Sequence, residues 1–466
     1  MNAVTSGPAR PLPELGPDSP LVLPPRAEAV LPNGLSVTAI ARRSAPLVEL
    51  RLWVPMAMVD IAEGALLAQT LLSGTGTRSA TGIAVELQAA GGALSGTADP
   101  DRWLISGNCL ASGLDRLLEV LADVLGGAVH PGYEVSVERE RLAHRVRVAL
   151  SQPPNVARAE LLRRVYGDHP YAVDTPAPER VEAVTAEEVR ALHGRRMRPG
   201  GASLVLVGDL DPDDAVELVG RRLGGWGGDL SDAGAEVRMP AAPAPVPGPL
   251  LLVDRPGTVQ SSIRLALPAS GRGHPDTAPL QLANLIFGGY FCSRWTENIR
   301  EDKGYSYGPN SVLDHSLGGS ALMLSVNVAT EVTAPALVET LYELGRITAL
   351  PPGPEEVEQA RRYAIGSLRL ATATQAGLAG YAGTLAGFGL RLDYLTAHAE
   401  RLAAATVEDV HRAAATYMGP GRAAAVVLGD VERVGRGVAA VTATEIRRSP
   451  SEPGAGGPPG EAEPGA

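Results

Sequence analysis

The chain has 466 residues, of which 45% are hydrophobic and 20% are charged, a composition typical of a globular protein with a substantial core. Its formal net charge of −11 comes without any cluster of basic residues, which argues against nucleic acid and an anionic membrane surface as partners. No apolar run approaches the roughly 18 residues that span a bilayer, no secretory leader is evident, and two cysteines do not make a disulfide framework. These features predict a cytoplasmic protein.

The first part of the chain begins with a proline-rich arm and continues with alternating strand and helix signals. Residues 1–26 contain seven prolines and predict a disordered arm. Apolar alternation predicts strands, whereas capped or glycine-terminated periodic runs predict helices. The predicted strands lie at 47–55, 93–97, 102–110 and 202–207, and the predicted helices at 64–72, 83–90, 112–125, 133–151, 158–166 and from a capping box at 185–188 onward.

The composition changes at residues 229–249, where a Pro/Ala-rich stretch without periodicity predicts a linker between two domains. Behind it the order of elements repeats. Strands are predicted at 251–254, 261–267, 305–313, 319–328 and 423–428, and helices at 277–287, 293–302, 333–347, 354–371, 377–388 and 406–417. The Gly/Pro/Glu-rich residues 447–466 predict a disordered tail.

An internal repeat supports this division into two halves. The stretch that begins at Thr185 aligns without a gap with the stretch that begins at Thr406. Each stretch is a capped helix, a turn with Pro-Gly or Gly-Pro-Gly, and an apolar strand that ends in Gly-Asp. The repeat predicts two homologous domains, 27–228 and 250–440, of about 200 residues each. Because each mixes strand pairs with runs of helices, we expect an α+β fold with helices packed on a mixed, mostly antiparallel sheet.

Several motifs resemble those of the insulinase/pitrilysin-like zinc peptidases. They are LPNGLSV at 31–37, LLSGTGTRS at 71–79, LQAAGGALSG at 87–96, HPYAVDTP at 169–176, RRMRPGGASLVLVGDLDP at 195–212 and FGGYFCSRWTENIREDKGYSY at 287–307. The chain looks most like the short two-repeat members, which include mitochondrial processing peptidase subunits and bacterial relatives. The resemblance covers residues 31–434 and implies two like α/β-sandwich domains that face each other as a clamshell.

The zinc motif of active members is missing from the expected helix. Those members carry His-x-x-Glu-His there, with two histidine ligands and a general base, and a downstream Glu as third ligand. The alignment on LLSGT instead gives Ala65, Ala68 and Gln69 at these positions, and the third ligand falls near His144-Arg145. No histidine precedes position 130, and His144 is interpreted as a solvated or capping residue rather than a relic of the site. The resemblance therefore implies that this chain binds no metal and no other cofactor.

The second half keeps another part of the family's site. The run from 299 to 307 resembles a family motif whose Arg and Tyr reach toward the substrate backbone, and these positions are Arg300 and Tyr307 here. A guanidinium can hold a peptide carbonyl, and a phenol can donate to an oxygen that gains charge. The structural alternative is an ion pair from Arg300 to Glu297 or Glu301, with the tyrosine half-buried in a strand.

The resemblance implies a non-catalytic, substrate-binding subunit of a heteromeric zinc metallopeptidase. Its partner would be a homologous zinc-bearing subunit, and its substrate a short or unfolded peptide. An inert scaffold subunit of the same family is the alternative, in which Arg300 and Tyr307 are only inherited. A stand-alone peptidase with a different metal arrangement is disfavoured, because no two histidines are spaced for chelation on one helix.

Overall fold

The computed structural model describes residues 21–227 and 238–448. Most of the predicted arm, half of the predicted linker and nearly all of the predicted tail lie outside these ranges. Between 238 and 248 the backbone forms neither helix nor strand, whereas the second half continues into a strand that ends at Arg448. Within the described ranges, no helix is long and apolar enough to cross a membrane.

The first half builds one six-stranded sheet with the order β1-β2-β6-β3-β5-β4. Only the β2–β6 pair is parallel, and the other neighbours are antiparallel. The strands are β1 (Arg26–Val30), β2 (Ser36–Ala41), β3 (Leu47–Pro55), β4 (Ala93–Asp99), β5 (Arg102–Leu110) and β6 (Ser203–Gly208). The helices are α1 (Ile61–Thr70), α2 (Ala80–Ala89), α3 (Leu114–Gly127), α4 (Gly132–Ser151), α5 (Pro153–Tyr166), α6 (Pro178–Ala183), α7 (Ala186–Arg196) and α8 (Pro212–Leu223).

The second half repeats this plan with the order β12-β7-β11-β8-β10-β9. Its strands are β7 (Leu250–Asp254), β8 (Gln260–Pro268), β9 (Asn310–Ser316), β10 (Gly319–Ala329), β11 (Ala424–Gly429) and β12 (Thr444–Arg448). Its helices are α9 (Thr277–Asn284), α10 (Arg294–Thr296), α11 (Thr333–Ala349), α12 (Pro354–Ala371), α13 (Gln375–Gly387), α14 (Tyr394–Ala404), α15 (Val407–Tyr417) and α16 (Val431–Val441). The α9 helix continues as a π-helical turn, Leu285–Gly289, and α10 as Glu297–Asp302. The prediction of two like α+β halves with mixed sheets is confirmed.

Local signals fix several element ends. Thr185 caps α7 through a capping box with Glu188, and Thr406 caps α15 in the same way with Asp409. The predicted strand at 305–313 is wrong at its start, because β9 begins only at Asn310. The chain turns at Gly304, whose φ of +63° suits glycine, and enters an irregular segment before the strand.

Each half inserts one helix onto the sheet of the other half. Helix α5 packs Ala157, Leu161 and Leu162 against the second sheet. They lie on the face of that sheet that the helices of the second half leave open. Helix α13 reciprocates by packing Leu378 and Ala382 on the first sheet. At these faces the halves of the predicted clamshell meet in direct apolar contact, because a helix fills the space in front of each sheet.

A buried pair of histidines lies behind α1. The Nε2 atom of His193 donates to the carbonyl of Leu125, so the neutral ring accepts at Nδ1 from His130 Nε2, 3.0 Å away. The Nδ1 atom of His130 then accepts from the Thr70 hydroxyl, at 2.8 Å. Burial lowers the pKa of His130 to about 3, and burial also lowers that of His193. Both rings are therefore neutral in the folded protein.

The histidine pair predicts a loss of stability on mild acidification. The unfolded chain protonates these rings as pH falls below about 6.5, whereas the folded chain does not protonate His130 until about pH 3. The free energy of unfolding should fall by about 2 kcal/mol between pH 7 and pH 5 through His130, and His193, whose pKa is also lowered, should add to this fall. Urea titrations of wild type and His130→Asn test this, since asparagine tolerates the φ of +41° at this position. An equally steep pH dependence in the variant contradicts the assignment.

The exchange of helices predicts a sharp contrast between two glycines of α13. A methyl group at Gly387 would clash with the Trp53 ring of the first sheet, whereas one at Gly380 would meet open space. Gly387→Ala should lower the free energy of unfolding by at least about 1–3 kcal/mol. The matched Gly380→Ala should raise it by about 0.5–1 kcal/mol through helix propensity. Denaturant melts measure both, and similar effects at the two positions would refute this packing.

Candidate functional site

Helix α1 carries the three positions where the resemblance implies a degenerate metal motif. Asp60 begins the helix by accepting hydrogen bonds from the backbone N–H groups of Ala62 and Glu63. Ala65 and Gln69 are one helical turn apart on one face and are partly exposed, whereas Ala68 is buried.

Arg145 of α4 contacts the end of this face. Arg145 donates from Nη2 to the side-chain oxygen of Gln69 at 2.6 Å, so the first helix and the fourth helix meet at this hydrogen bond. The neighbouring His144 is exposed. The position that the resemblance assigns to the third ligand is thus next to the position that it assigns to the second.

These side chains do not fit zinc. Alanine offers no ligand atom, the glutamine amide is a poor ligand, and a guanidinium cation repels a metal ion. Across residues 21–227 and 238–448, no three His, Cys, Asp or Glu side chains cluster in a way that could hold a metal ion. The exposed cation Arg145 faces Gln69 where the resemblance would require an acidic metal ligand.

The second predicted site lies between α10 and β9, and the structure brings both of its residues together. Ser293 caps α10, and Arg300 follows in the π-helical turn. Beyond the turn at Gly304, the Ser306 hydroxyl donates to the carbonyl of Asn327 at 2.7 Å and ties the irregular segment to β10. Tyr307 is next along the chain and is 88% exposed.

Arg300 stacks against two exposed aromatic rings. Its guanidinium carbon lies 4.4 Å from the Phe291 ring centre and 5.0 Å from that of Tyr307. Its Nε atom is 3.3 Å from Glu301, in a pair whose acidic partner is largely exposed and which is therefore weak. Among the described residues, no hydrogen-bond partner is found for the two terminal nitrogens. The N–H groups at the edge of the guanidinium are therefore available to a ligand.

The cluster of Arg300, Phe291 and Tyr307 lies on a well-packed part of the second half. Arg294 forms a bidentate pair with Glu356, with both contacts at 2.7 Å, and its guanidinium lowers the pKa of that carboxyl group. Trp295 is fully buried, stacks on Phe287 at 5.3 Å and donates its indole N–H to Thr340. The exposed side chains of the cluster therefore stand on a well-packed base.

The structural alternative for this motif holds only in part. Arg300 does pair with Glu301, but Tyr307 is neither in a strand nor half-buried. Sequence reasoning missed Phe291, which is 63% exposed and stacks on Arg300. A large aromatic residue directly after Gly-Gly-Tyr, outside any apolar periodicity, is the signal that could have found it.

Comparisons with known proteins agree with these features. Residues 183–363 match the family model described as the peptidase M16 inactive domain. Proteins described as uncharacterized zinc proteases are similar to this chain. One from Mycobacterium tuberculosis is 26% identical over 347 residues, which is 71% of this chain and 75% of the relative. Another from Bacillus subtilis is 23% identical over 312 residues, or 65% and 73% of the two chains.

Solved structures share the fold. A peptidase M16 inactive domain from Pseudomonas fluorescens superimposes with a TM-score of 0.79 at 22% identity, over 87% of this chain and 98% of that one. A protease from Helicobacter pylori superimposes with a TM-score of 0.80 at 17% identity, over 87% and 100%. Residues 183–363 are thus similar to the insulinase-like peptidases, M16, and Ala65, Ala68 and Gln69 stand where the resemblance places that family's zinc motif.

The contact between Gln69 and Arg145 predicts that a zinc site can be built at this place. The triple variant Ala65→His, Gln69→His, Arg145→Glu sets two imidazoles one turn apart and a carboxylate beside them. It should bind zinc at least about 100-fold more tightly than the double variant that keeps Arg145, because the retained cation repels the metal. Competition with a chromophoric chelator measures both affinities. Equal affinities in two folded variants would show that position 145 is not part of a common site.

Proposed function

We propose that this chain is the non-catalytic, substrate-binding subunit of a heteromeric zinc metallopeptidase that cleaves short or unfolded peptides. The observation that carries the proposal is the contact of the partly exposed Arg300 with the exposed Tyr307 on a well-packed base, in a chain whose α1 helix has Ala65, Ala68 and Gln69 at the positions of the metal motif. The match of residues 183–363 to the peptidase M16 inactive domain supports a non-catalytic, peptidase-like chain, and the proposal adds a partner and a substrate.

The chemistry of the pair suits an extended peptide. The ring faces of Phe291 and Tyr307 cover the guanidinium of Arg300, so its in-plane N–H groups are the ones left to donate to peptide carbonyls. The Tyr307 hydroxyl has no partner among the described residues and can donate to a carbonyl oxygen that gains negative charge during peptide hydrolysis. Both groups orient and stabilise the substrate, and neither can activate water by itself.

The missing part of the site would come from a homologous partner. That subunit would carry the zinc ligands and the general base, which are absent from positions 65, 68 and 69 of this chain. No metal or other cofactor is assigned to this chain.

The alternative is an inert scaffold subunit, and one observation favours it. Phe291 and Tyr307 are exposed aromatic residues beside an arginine, and these residue types are enriched in protein–protein interfaces. In that case the cluster would bind another protein permanently, and its loss would weaken assembly rather than turnover.

Mixing experiments distinguish the two proposals. With a zinc-bearing homologue present, Arg300→Ala should lower kcat/KM for a fluorogenic peptide by about 10²–10³-fold, because a donor to the developing oxyanion is lost. Tyr307→Phe should lower it at least about tenfold for the same reason. Size-exclusion chromatography should show unchanged assembly for both variants.

The controls use residues of the same types on the same half. Arg362 pairs with Glu358 on the surface of α12, and Tyr342 is exposed on α11. Arg362→Ala and Tyr342→Phe should leave turnover unchanged. Metal analysis should find zinc in the partner alone. Full activity of the two site variants would remove them from substrate binding, and loss of assembly would favour the scaffold.

A further inference from the structure

A cavity of about 370 Å³ lies at the seam between the two halves. Its walls come from α5 and the β4–β5 turn of the first half and from β9 and the end of α13 of the second. The volume is within the range of roughly 300–1,000 Å³ that is common for small-molecule sites. The exchange of helices creates this cavity, because α5 and α13 each contribute side chains to it.

Two of the arginines in the walls already have acidic partners. Arg102 binds Asp99 at 2.9 Å, and Arg158 binds Asp174 at 2.7 Å. Within each pair the two charges neutralise each other, which leaves little net charge to attract a ligand.

Arg272 and Asp314 in the walls have no such partner, and a third wall residue, Asp101, accepts hydrogen bonds from the Tyr171 hydroxyl and the Leu317 N–H instead of forming an ion pair. Arg272 stacks on the Phe388 ring at 5.0 Å, but its Nε atom is buried without a hydrogen-bond partner. Burial lowers the pKa of this arginine, and the nearby Tyr394, Tyr381 and Asp314 oppose that shift. The carboxylate of Asp314 forms no hydrogen bond or ion pair with a described residue. The buried N–H at Nε of Arg272 costs free energy unless a hydrogen-bond acceptor binds to it.

Aromatic side chains form part of the remaining wall. Trp53 and Phe388 meet edge to face with ring centres 5.9 Å apart, one from each half. Tyr166 lines the cavity as well, and burial raises its pKa to about 12, so it is a neutral phenol. Its hydroxyl group has no hydrogen-bond partner among the described residues, and the negative charge of Asp314 contributes to the raised pKa.

We propose that this cavity binds a free amino acid in its zwitterionic form, with an aromatic or large apolar side chain. The carboxylate of the ligand would bind Arg272, its ammonium group Asp314 and the Tyr166 hydroxyl, and its side chain the Trp53–Phe388 pair. The assignment follows from the opposite unpaired charges on an aromatic wall. It does not depend on Arg300 and Tyr307, so it stands or falls separately from the proposed function.

Calorimetric titration of the wild-type chain tests the proposal without any substitution. L-Phenylalanine, L-tryptophan and L-leucine should bind, at least one of them with Kd below about 1 mM, an ordinary affinity for a ligand of this size. N-acetyl-L-phenylalanine, which lacks the ammonium group, and L-phenylalanine amide, which lacks the carboxylate, should each bind at least about tenfold more weakly. Glycine should bind no better than these blocked ligands.

Variants then locate the site. Arg272→Gln and Asp314→Asn should each weaken L-phenylalanine binding at least about tenfold, and Arg362→Gln, far from the seam, should not change it. Circular dichroism melts establish that each variant is folded. The proposal is overturned if no amino acid binds saturably to the wild type up to about 10 mM, if blocked and free ligands bind equally, or if both folded seam variants bind as the wild type does.

Discussion

The structure depends on the reciprocal exchange of α5 and α13 between its two halves. A mixed sheet with helices on one face leaves its other face apolar, and burying that face contributes a large share of the stability of such a domain. Here each half covers the open sheet of the other: Leu161 and Leu162 pack on the second sheet, and Leu378 and Leu385 pack on the first. Each half has a core of its own, but neither can cover the open face of its sheet alone, and the seam cavity with Trp53 and Phe388 exists only in the assembled pair.

The two candidate sites of this unit have diverged in opposite ways. On α1, substitution has removed ligand atoms and left a cation, Arg145, hydrogen-bonded to Gln69. On the second half, the segment that carries Arg300 retains a firm base, and the arginine is stacked between exposed rings rather than neutralised by a buried carboxylate. An exposed, unsatisfied Arg–Tyr pair has no evident role in stability, since surface pairs of this kind contribute little. Its arrangement fits a function outside the chain.

Much of the fold follows from local sequence signals. The capping boxes at Thr185 and Thr406 and the apolar strands that follow them gave element ends close to those observed, because caps and side-chain alternation act within a few residues. The Tyr-Ser-Tyr alternation was misleading, since a glycine turn and a side-chain hydrogen bond hold that segment outside the sheet. The exchange of helices and the contact between Gln69 and Arg145 join residues that are far apart in sequence. A single sequence carries no signal for such pairs. Phe291 is different, because its place directly after Gly-Gly-Tyr was a signal that could have been used.

The proposed function requires that Tyr307 faces a bound peptide, and photo-crosslinking tests this contact most directly. A chain with p-benzoylphenylalanine in place of Tyr307 would be mixed with a zinc-bearing homologue and a labelled peptide, and irradiated. The proposed function predicts a crosslink between this position and the peptide that disappears when excess unlabelled peptide is added. A crosslink to the partner protein alone, unaffected by peptide, would contradict the claim and identify the cluster as a permanent interface.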